Sequence, residues 1–219
     1  MKRSLLCALL LLLAGCAHGE SGSVAASGDE LLPSGTAVDW VTYGDVAARV
    51  RVERAVEVPA TDEEVKAGEG IIGRQVVITI DDVLWRQGAR TLKVPSELTL
   101  DAGGWTFKGT ERRKLAFEGT VDLVPGHDYL LVLAYTPLDD AAAGTPRWIP
   151  IGGGAMLPFD DGVVGRGAEK APATSLASTL ADKRSSDVVA LLGVTKPQKA
   201  AEPYLDEPAI ARIRAVQRG

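Results

Sequence analysis

Residues 46–58 of this 219-residue chain alternate between apolar and mostly polar side chains with a period of two. Only an extended strand turns successive side chains to opposite faces, so the segment predicts a long β-strand with one buried face. The alternation fails once, at Arg54, which falls on the apolar face. A β-bulge beside Arg54 would restore the pattern, because a bulge inserts one extra residue into one strand of a pair.

Shorter apolar segments downstream predict further strands. Residues 76–80 alternate in the same way and are expected to form a second strand. Leucine and valine in residues 92–94 begin a third strand, which Pro95 interrupts or confines to a sheet edge because proline has no amide hydrogen to donate.

The most apolar segment of the second half is residues 129–135, which is apolar on both faces. Such a strand is typical of the centre of a sheet that is covered on both sides. Pro125-Gly126 predicts a turn before it, and residues 147–151 and 156–164 are expected to complete the set of strands.

A sequence with two adjacent glycines, LTLDAGGWTF, occupies residues 98–107. It is interpreted as a β-hairpin whose turn lies at the glycines. Trp105 and Phe107 are two residues apart and therefore share one face of their strand. We expect both to belong to the core, because aromatic side chains bury a large area; the alternative is an exposed recognition site, which makes them the candidate binding residues.

Many short strands separated by turn residues predict a mostly β fold, a small barrel or sandwich with a short helical C-terminal tail. Ten of the eleven aromatic residues lie between Trp40 and Phe159, so the globular domain is placed at residues 37–167. The order of strands over residues 45–165 resembles the OB-like β-barrel of secreted bacterial lipoprotein domains. That resemblance implies a fold and brings no catalytic residues with it.

Residues 168–219 are expected to form a helical, partly disordered tail. Ser185-Ser186-Asp187 is predicted to cap a helix over residues 188–192, which Gly193 would end. A second helix is expected to begin at Pro208. Its arginines, Arg212 among them, suit the negative C-terminal end of the helix dipole.

Two basic residues at the N-terminus precede an apolar run over residues 5–14. The run is about half as long as a membrane-spanning helix, so it is a targeting segment. It ends in Leu13-Ala14-Gly15-Cys16, which resembles the lipobox of bacterial lipoproteins. The resemblance implies that residues 1–15 are a cleaved signal peptide and that Cys16 carries diacylglycerol and commonly a further acyl chain on the new N-terminus. An ordinary signal peptide with an incidental cysteine, or an uncleaved apolar helix, are the alternatives.

Removal of residues 1–15 takes two of the 24 basic residues and none of the 29 acidic residues. The remaining residues have a net negative charge, which argues against nucleic acid or an anionic lipid surface as a partner. The same cleavage removes Cys7 and leaves Cys16 as an anchor, so no disulfide is expected. Residues 16–36 are mostly small or polar and predict a lipid-bearing cysteine followed by a flexible spacer.

Catalytic patterns are sparse. His127 is the one histidine between residues 37 and 167, no Gly-x-Ser-x-Gly sequence occurs, and zinc would need more histidine or cysteine ligands. We therefore expect no metal and no cofactor. The acidic pairs Asp81-Asp82, Asp139-Asp140 and Asp160-Asp161 are interpreted as turn and strand-end residues, with a hard-cation site or paired acid catalysis as alternatives. The basic run at residues 112–114 predicts a solvated strand face, or a contact for an anionic patch on a partner.

These features predict an extracytoplasmic envelope lipoprotein, anchored to the cell membrane or the outer membrane through Cys16. Its β-barrel is expected to be a non-catalytic binding or structural module. The expected partners are the membrane, through the anchor, and an envelope protein or polymer. The alternatives are an extracytoplasmic hydrolase that uses paired carboxylates and an inhibitor or assembly factor.

Overall fold

The computed structural model describes residues 32–117, 119–136, 147–165, 167 and 175–218, together with the backbone of residues 24–26. Its strands are β1 (Val24–Ala26), β2 (Val46–Val58), β3 (Glu69–Arg86), β4 (Glu97–Lys108), β5 (Glu111–Phe117), β6 (Asp128–Thr136), β7 (Arg147–Pro150) and β8 (Met156–Pro158). Its α-helices are α1 (Ala37–Tyr43), α2 (Asp62–Ala67), α3 (Leu176–Leu180), α4 (Ser185–Val194) and α5 (Ala209–Arg218). Short 3₁₀ turns lie at Gly153–Ala155, Asp160–Gly162 and Lys199–Tyr204.

The strands form one sheet in the order β1-β5-β4-β3-β2-β6-β7, and β8 also pairs with β6. Every pair is antiparallel except β1 with β5. The sheet curls into a half-barrel, and the chain ends in a short helix. The prediction of a mostly β, small barrel-like fold with a C-terminal helix is confirmed.

Two hydrophobic cores lie against the sheet. One combines β6 and β2 residues with α1, α3, α4 and α5, and we call it the helix-side core. The other is built mainly from β2, β3, β4 and β6, and we call it the strand-side core. Leu130 and Val132 of β6 belong to the first core, whereas Leu131 and Leu133 belong to the second. The prediction that β6 is covered on both faces is therefore confirmed.

The long strand predicted from the alternating pattern is present as β2, and its register with β3 shifts between Val52 and Arg54, where a bulge was expected. Its second half is not buried as predicted. Val56 is 49% exposed and Val58 is 40% exposed. Neither valine belongs to either hydrophobic core, and the pairing of β2 with β6 ends at Arg51.

The double glycine is not a hairpin turn, because β4 runs without interruption through it and the turn to β5 lies at Gly109-Thr110. The register of β3 with β4 shifts between Ile72 and Arg74, opposite the glycines. A Cβ at Gly104 would lie 2.1 Å from the carbonyl oxygen of Ile72, which leaves room for glycine alone. The expected strand over residues 92–94 is also absent, and those residues are irregular.

Both ends of the globular unit extend beyond residues 37–167. Leu32 is buried in the helix-side core, and β1 lies within the expected spacer. At the other end, Leu176, Val188 and Ala209 are buried in the same core. The packing of the described residues therefore does not separate a domain at residues 37–167 from a tail.

The helix boundaries agree only in part with the sequence prediction. α4 has Arg184 as its N-cap, whose backbone amide donates to Asp187 Oδ2 at 3.0 Å, and it continues past Gly193 to Val194. α5 begins directly after Pro208, as predicted. Arg212 was expected to face the C-terminal dipole, but its side chain is fully buried.

Arg212 belongs to a buried ion network that joins α5 to the start of β2. Its Nη2 lies 2.5 Å from Asp45 Oδ1, and Arg90 Nη1 lies 2.7 Å from Asp45 Oδ2. Arg212 also donates to the carbonyl oxygens of Thr42, Gly44 and Glu207. Burial lowers the pKa of Arg212, and the charge of Asp45 opposes that shift. The network holds the C-terminal helix against the sheet.

Candidate binding site at the end of the sheet

Strands β2 to β5 extend beyond the rest of the sheet at one end. We call this part, residues 53–74 and 105–114, the tip. Past Val52, β2 has only β3 as a strand partner within the described part of the chain. The six residues after Val52, 53–58, project about 20 Å at the usual rise of a strand. The tip therefore extends past the last residue of β2 that pairs with β6.

A short helix at the tip, α2, is fixed by side-chain hydrogen bonds to the backbone. Thr61 Oγ1 accepts a hydrogen bond from the Glu64 amide at 3.3 Å, and Glu64 Oε2 accepts one from the Thr61 amide at 2.8 Å. Glu64 Oε1 also accepts a hydrogen bond from the Ile71 amide, which ties α2 to β3. The bond from the Thr61 backbone is the main reason why the pKa of Glu64 is lowered. The spacing Thr61-x-x-Glu64 is a capping-box signature that would have predicted this helix.

An open groove of about 320 Å³ lies at the tip. It is lined by Glu57, Pro59, Ala60, Val65, Ile72 and Phe107. Five of these six side chains are apolar. A partner that covers the groove would therefore bury apolar surface and remove it from water, which is favourable. Phe107, a candidate binding residue from the sequence, is part of its wall.

Trp105 and Phe107 lie on one face of the tip. Trp105 is paired with Ile72 across the β3–β4 ladder, and Phe107 is paired with Gly70. Both aromatic side chains are half-buried and belong to neither hydrophobic core. The expected core placement is therefore wrong, because the tip extends past the layers that cover the rest of the sheet.

An arginine covers the ring of Trp105. The Arg112 guanidinium carbon lies 4.8 Å from the ring centroid, within the range of a cation–π contact. Arg112 Nη2 also donates to Glu57 Oε1 at 2.9 Å, so the guanidinium is held between the acid and the ring. These contacts fix the orientation of Trp105 before any partner binds.

The opposite face of the tip is apolar as well. Val56 and Val58 share that face with Ile71, since the β2–β3 register pairs the two valines with Gln75 and Gly73. Ile71 is 49% exposed. Val65 of α2, which is 62% exposed, lies on the other side, in the groove with Phe107. The tip thus presents aliphatic side chains on both sides of the sheet.

A charged cluster lies where the strand-side core ends and the tip begins. Arg74 is buried, and its Nη1 donates to Asp122 Oδ1 at 2.7 Å. Lys114 donates to the other oxygen of Asp122, and Arg74 Nη2 donates to the carbonyl of Leu123. Burial alone would raise the pKa of Asp122, but the hydrogen bonds and charges of Lys114 and Arg74 outweigh it and lower that pKa.

The acidic pairs are not assembled into a common site. Asp81 lies 3.8 Å from Arg49, whereas Asp160 lies 3.1 Å from His127 Nδ1. Asp139-Asp140 lies outside the described residues. Within the residues that the structure describes, no group of three or more His, Cys, Asp or Glu side chains is placed to hold a metal ion.

The basic run at residues 112–114 is ion-paired. Arg112 pairs with Glu57, Arg113 with Glu111 and Lys114 with Asp122. All three bases lie on β5 and are partly solvated. The run therefore supplies the charged rim of the tip.

In comparisons with known proteins, no family model, curated protein or solved structure matches this chain. Cys16, the expected lipidation site, lies outside the described residues. Among the helices formed by the described residues, none has both the length and the apolar character needed to cross a bilayer.

Proposed function

We propose that the protein is a lipid-anchored protein of the cell envelope and that its β-sheet domain is a non-catalytic binding module. The apolar run that ends in Leu-Ala-Gly-Cys16 supports the anchor. The groove at the tip, with Phe107 in its wall, is the observation that carries the binding role. The anchor holds the protein at a membrane, and the tip contacts the partner.

Three properties of the tip support this role. Its apolar residues are exposed on both faces, and exposed apolar surface on a folded domain is typical of an interaction site. Trp105 and Arg112 are residue types that dominate binding energy at protein surfaces. Their mutual contact and the ion pair with Glu57 fix them in advance, which lowers the entropy cost of binding.

Site-specific photocrosslinking tests the binding role. A benzophenone amino acid replaces Phe107 in the full chain, and the cells are irradiated before the envelope is isolated. Val194, which is 80% exposed on α4, is the control position. We expect adducts from position 107 and none from position 194. Equal labelling at the two positions, or none at either, would show that the tip is not a binding surface.

A further inference from the structure

We propose that the partner of the tip is the surface of the lipid bilayer that carries the anchor, with the exposed aliphatic side chains of the tip inserted among neutral headgroups. This inference rests on the proposed lipidation of Cys16. It follows from the direction in which the chain enters the sheet, from the length of chain available, and from the charge balance of the tip.

The chain enters the sheet from the side of the tip. β1 is parallel to β5, with Val24 opposite Leu115 and Ala26 opposite Phe117. β5 begins at Glu111 in the tip and runs away from it. A parallel partner runs in the same direction, so β1 also points away from the tip. Val24, the first residue of β1, is therefore the end of that strand nearest the tip.

The length of chain between the anchor and the sheet limits the orientation further. Cys16 is eight residues before Val24, and eight residues span at most about 28 Å. From Leu115 back to Glu111 the tip accounts for about 13 Å of that distance. In the reversed orientation, the far end of β4 at Glu97 would have to meet the bilayer. Gly103 lies beside Leu115, and the six residues from Gly103 back to Glu97 cover about 20 Å. The reversed orientation would therefore use more of the tether than the tip does.

The surface of the tip suits a neutral bilayer. The tip carries seven acidic and seven basic side chains, so it has no net attraction to an anionic surface. Its exposed aliphatic residues are Val56, Val58, Val65 and Ile71. Binding to a membrane interface strengthens with the apolar area buried there, and Trp105 is of a residue type enriched at such interfaces. The contact of the tip with the bilayer would be weak on its own. The lipid anchor keeps the tip close to the bilayer at a high effective concentration, so that a weak contact is enough.

Fluorescent labels on the full chain test the proposal. The acylated protein carries an Ile71→Cys substitution labelled with an environment-sensitive fluorophore, and it is reconstituted in phosphatidylcholine vesicles. Val56→Cys, on the same face of the tip, is a second label position, and Val194→Cys is the control. We expect a blue-shifted emission at positions 71 and 56 that nitroxide-bearing lipids quench. Position 194 should keep the emission of a label in water, and raised salt should leave all three spectra unchanged.

The outcomes separate this inference from the proposed function. Intact mass establishes whether Cys16 is acylated. A protein that is acylated but gives water-like emission at both tip positions overturns the bilayer contact and leaves the anchor intact. A protein adduct from position 107 in cells, together with water-like emission in vesicles, assigns the tip to a protein partner and also overturns the bilayer contact. A chain without acyl groups refutes the anchor and the inference with it.

Discussion

Arg212 of the last helix and Asp45 at the start of β2 form a fully buried ion pair, with Nη2 and Oδ1 2.5 Å apart. The two residues are 167 positions apart in the chain. Asp45 also accepts a hydrogen bond from the Tyr135 amide at 2.8 Å, so the pair connects α5 with β2 and β6. The C-terminal helix is thereby an integral part of the domain.

We expect Arg212→Ala to lower the free energy of unfolding by about 3–5 kcal/mol, the usual effect of breaking a buried pair. The substitution also leaves the carbonyl groups of Thr42 and Gly44 without the Arg212 donor. Urea unfolding measures the change. Arg214→Ala, on the same helix but exposed, is the matched control and should alter stability by less than about 0.5 kcal/mol. Equal effects of the two substitutions would contradict the structural role of the pair.

The two environments of tryptophan in this domain predict different stability effects. Trp40 is fully buried, and its Nε1 donates to the Ser34 carbonyl at 2.8 Å, so Trp40→Ala should cost about 3–5 kcal/mol. Trp105 is half-buried at the tip and contacts Arg112, so Trp105→Ala should cost about 1–2 kcal/mol. Thermal or urea unfolding of both variants gives the comparison. If Trp105→Ala lowered the free energy of unfolding as much as Trp40→Ala, the ring of Trp105 would belong to the core.

The cluster at Asp122 predicts a pH dependence. Because its pKa is lowered in the folded protein, the unfolded chain binds the proton more readily, and stability rises with pH across that range. The contribution is fully present above the unfolded pKa of about 3.9 and is lost as the pH falls through the folded pKa.

Asp122→Asn should therefore reduce stability at neutral pH and flatten its dependence on pH below about 4. Unfolding with urea at a series of pH values measures this slope. Asp81→Asn is the control, since Asp81 is exposed and lies 3.8 Å from its partner Arg49. Parallel pH profiles for wild type and Asp122→Asn would show that Arg74 and Lys114 do not stabilise the carboxylate.

Patterns among neighbouring residues predicted most of the strands. They failed for features that depend on contacts between residues far apart in the sequence. The alternation in β2 and the bulge at Arg54 depend on neighbours in sequence, so both could be predicted. The role of Gly104 could not be predicted, because glycine is common both in turns and at crowded bulges. Only the register of β3 with β4 shows that Gly104 lies at a bulge. The burial of Arg212 depends on Asp45, which no helical periodicity reveals.

The candidate site shows the same division. The sequence placed Trp105 and Phe107 on one face correctly, since strand periodicity is local. It assigned them to the core because aromatic residues are usually buried. Their half-exposure is a property of the assembled sheet, in which neither ring reaches a hydrophobic core. The groove beside them also needs α2, and the capping box at Thr61 would have predicted that helix.

The anchor gives the last prediction. Two or more acyl chains hold a protein stably at a membrane, whereas a polar N-terminus does not. Cys16→Ala in the full chain should therefore abolish acyl-chain mass and either release the protein from membranes washed with alkaline carbonate or trap the uncleaved precursor. Cys7→Ala removes the other cysteine and leaves Leu-Ala-Gly-Cys16 intact, so its product should remain acylated and membrane-bound. A Cys16→Ala protein that stays in the washed membranes at the mature size would show that another feature of the chain holds it there.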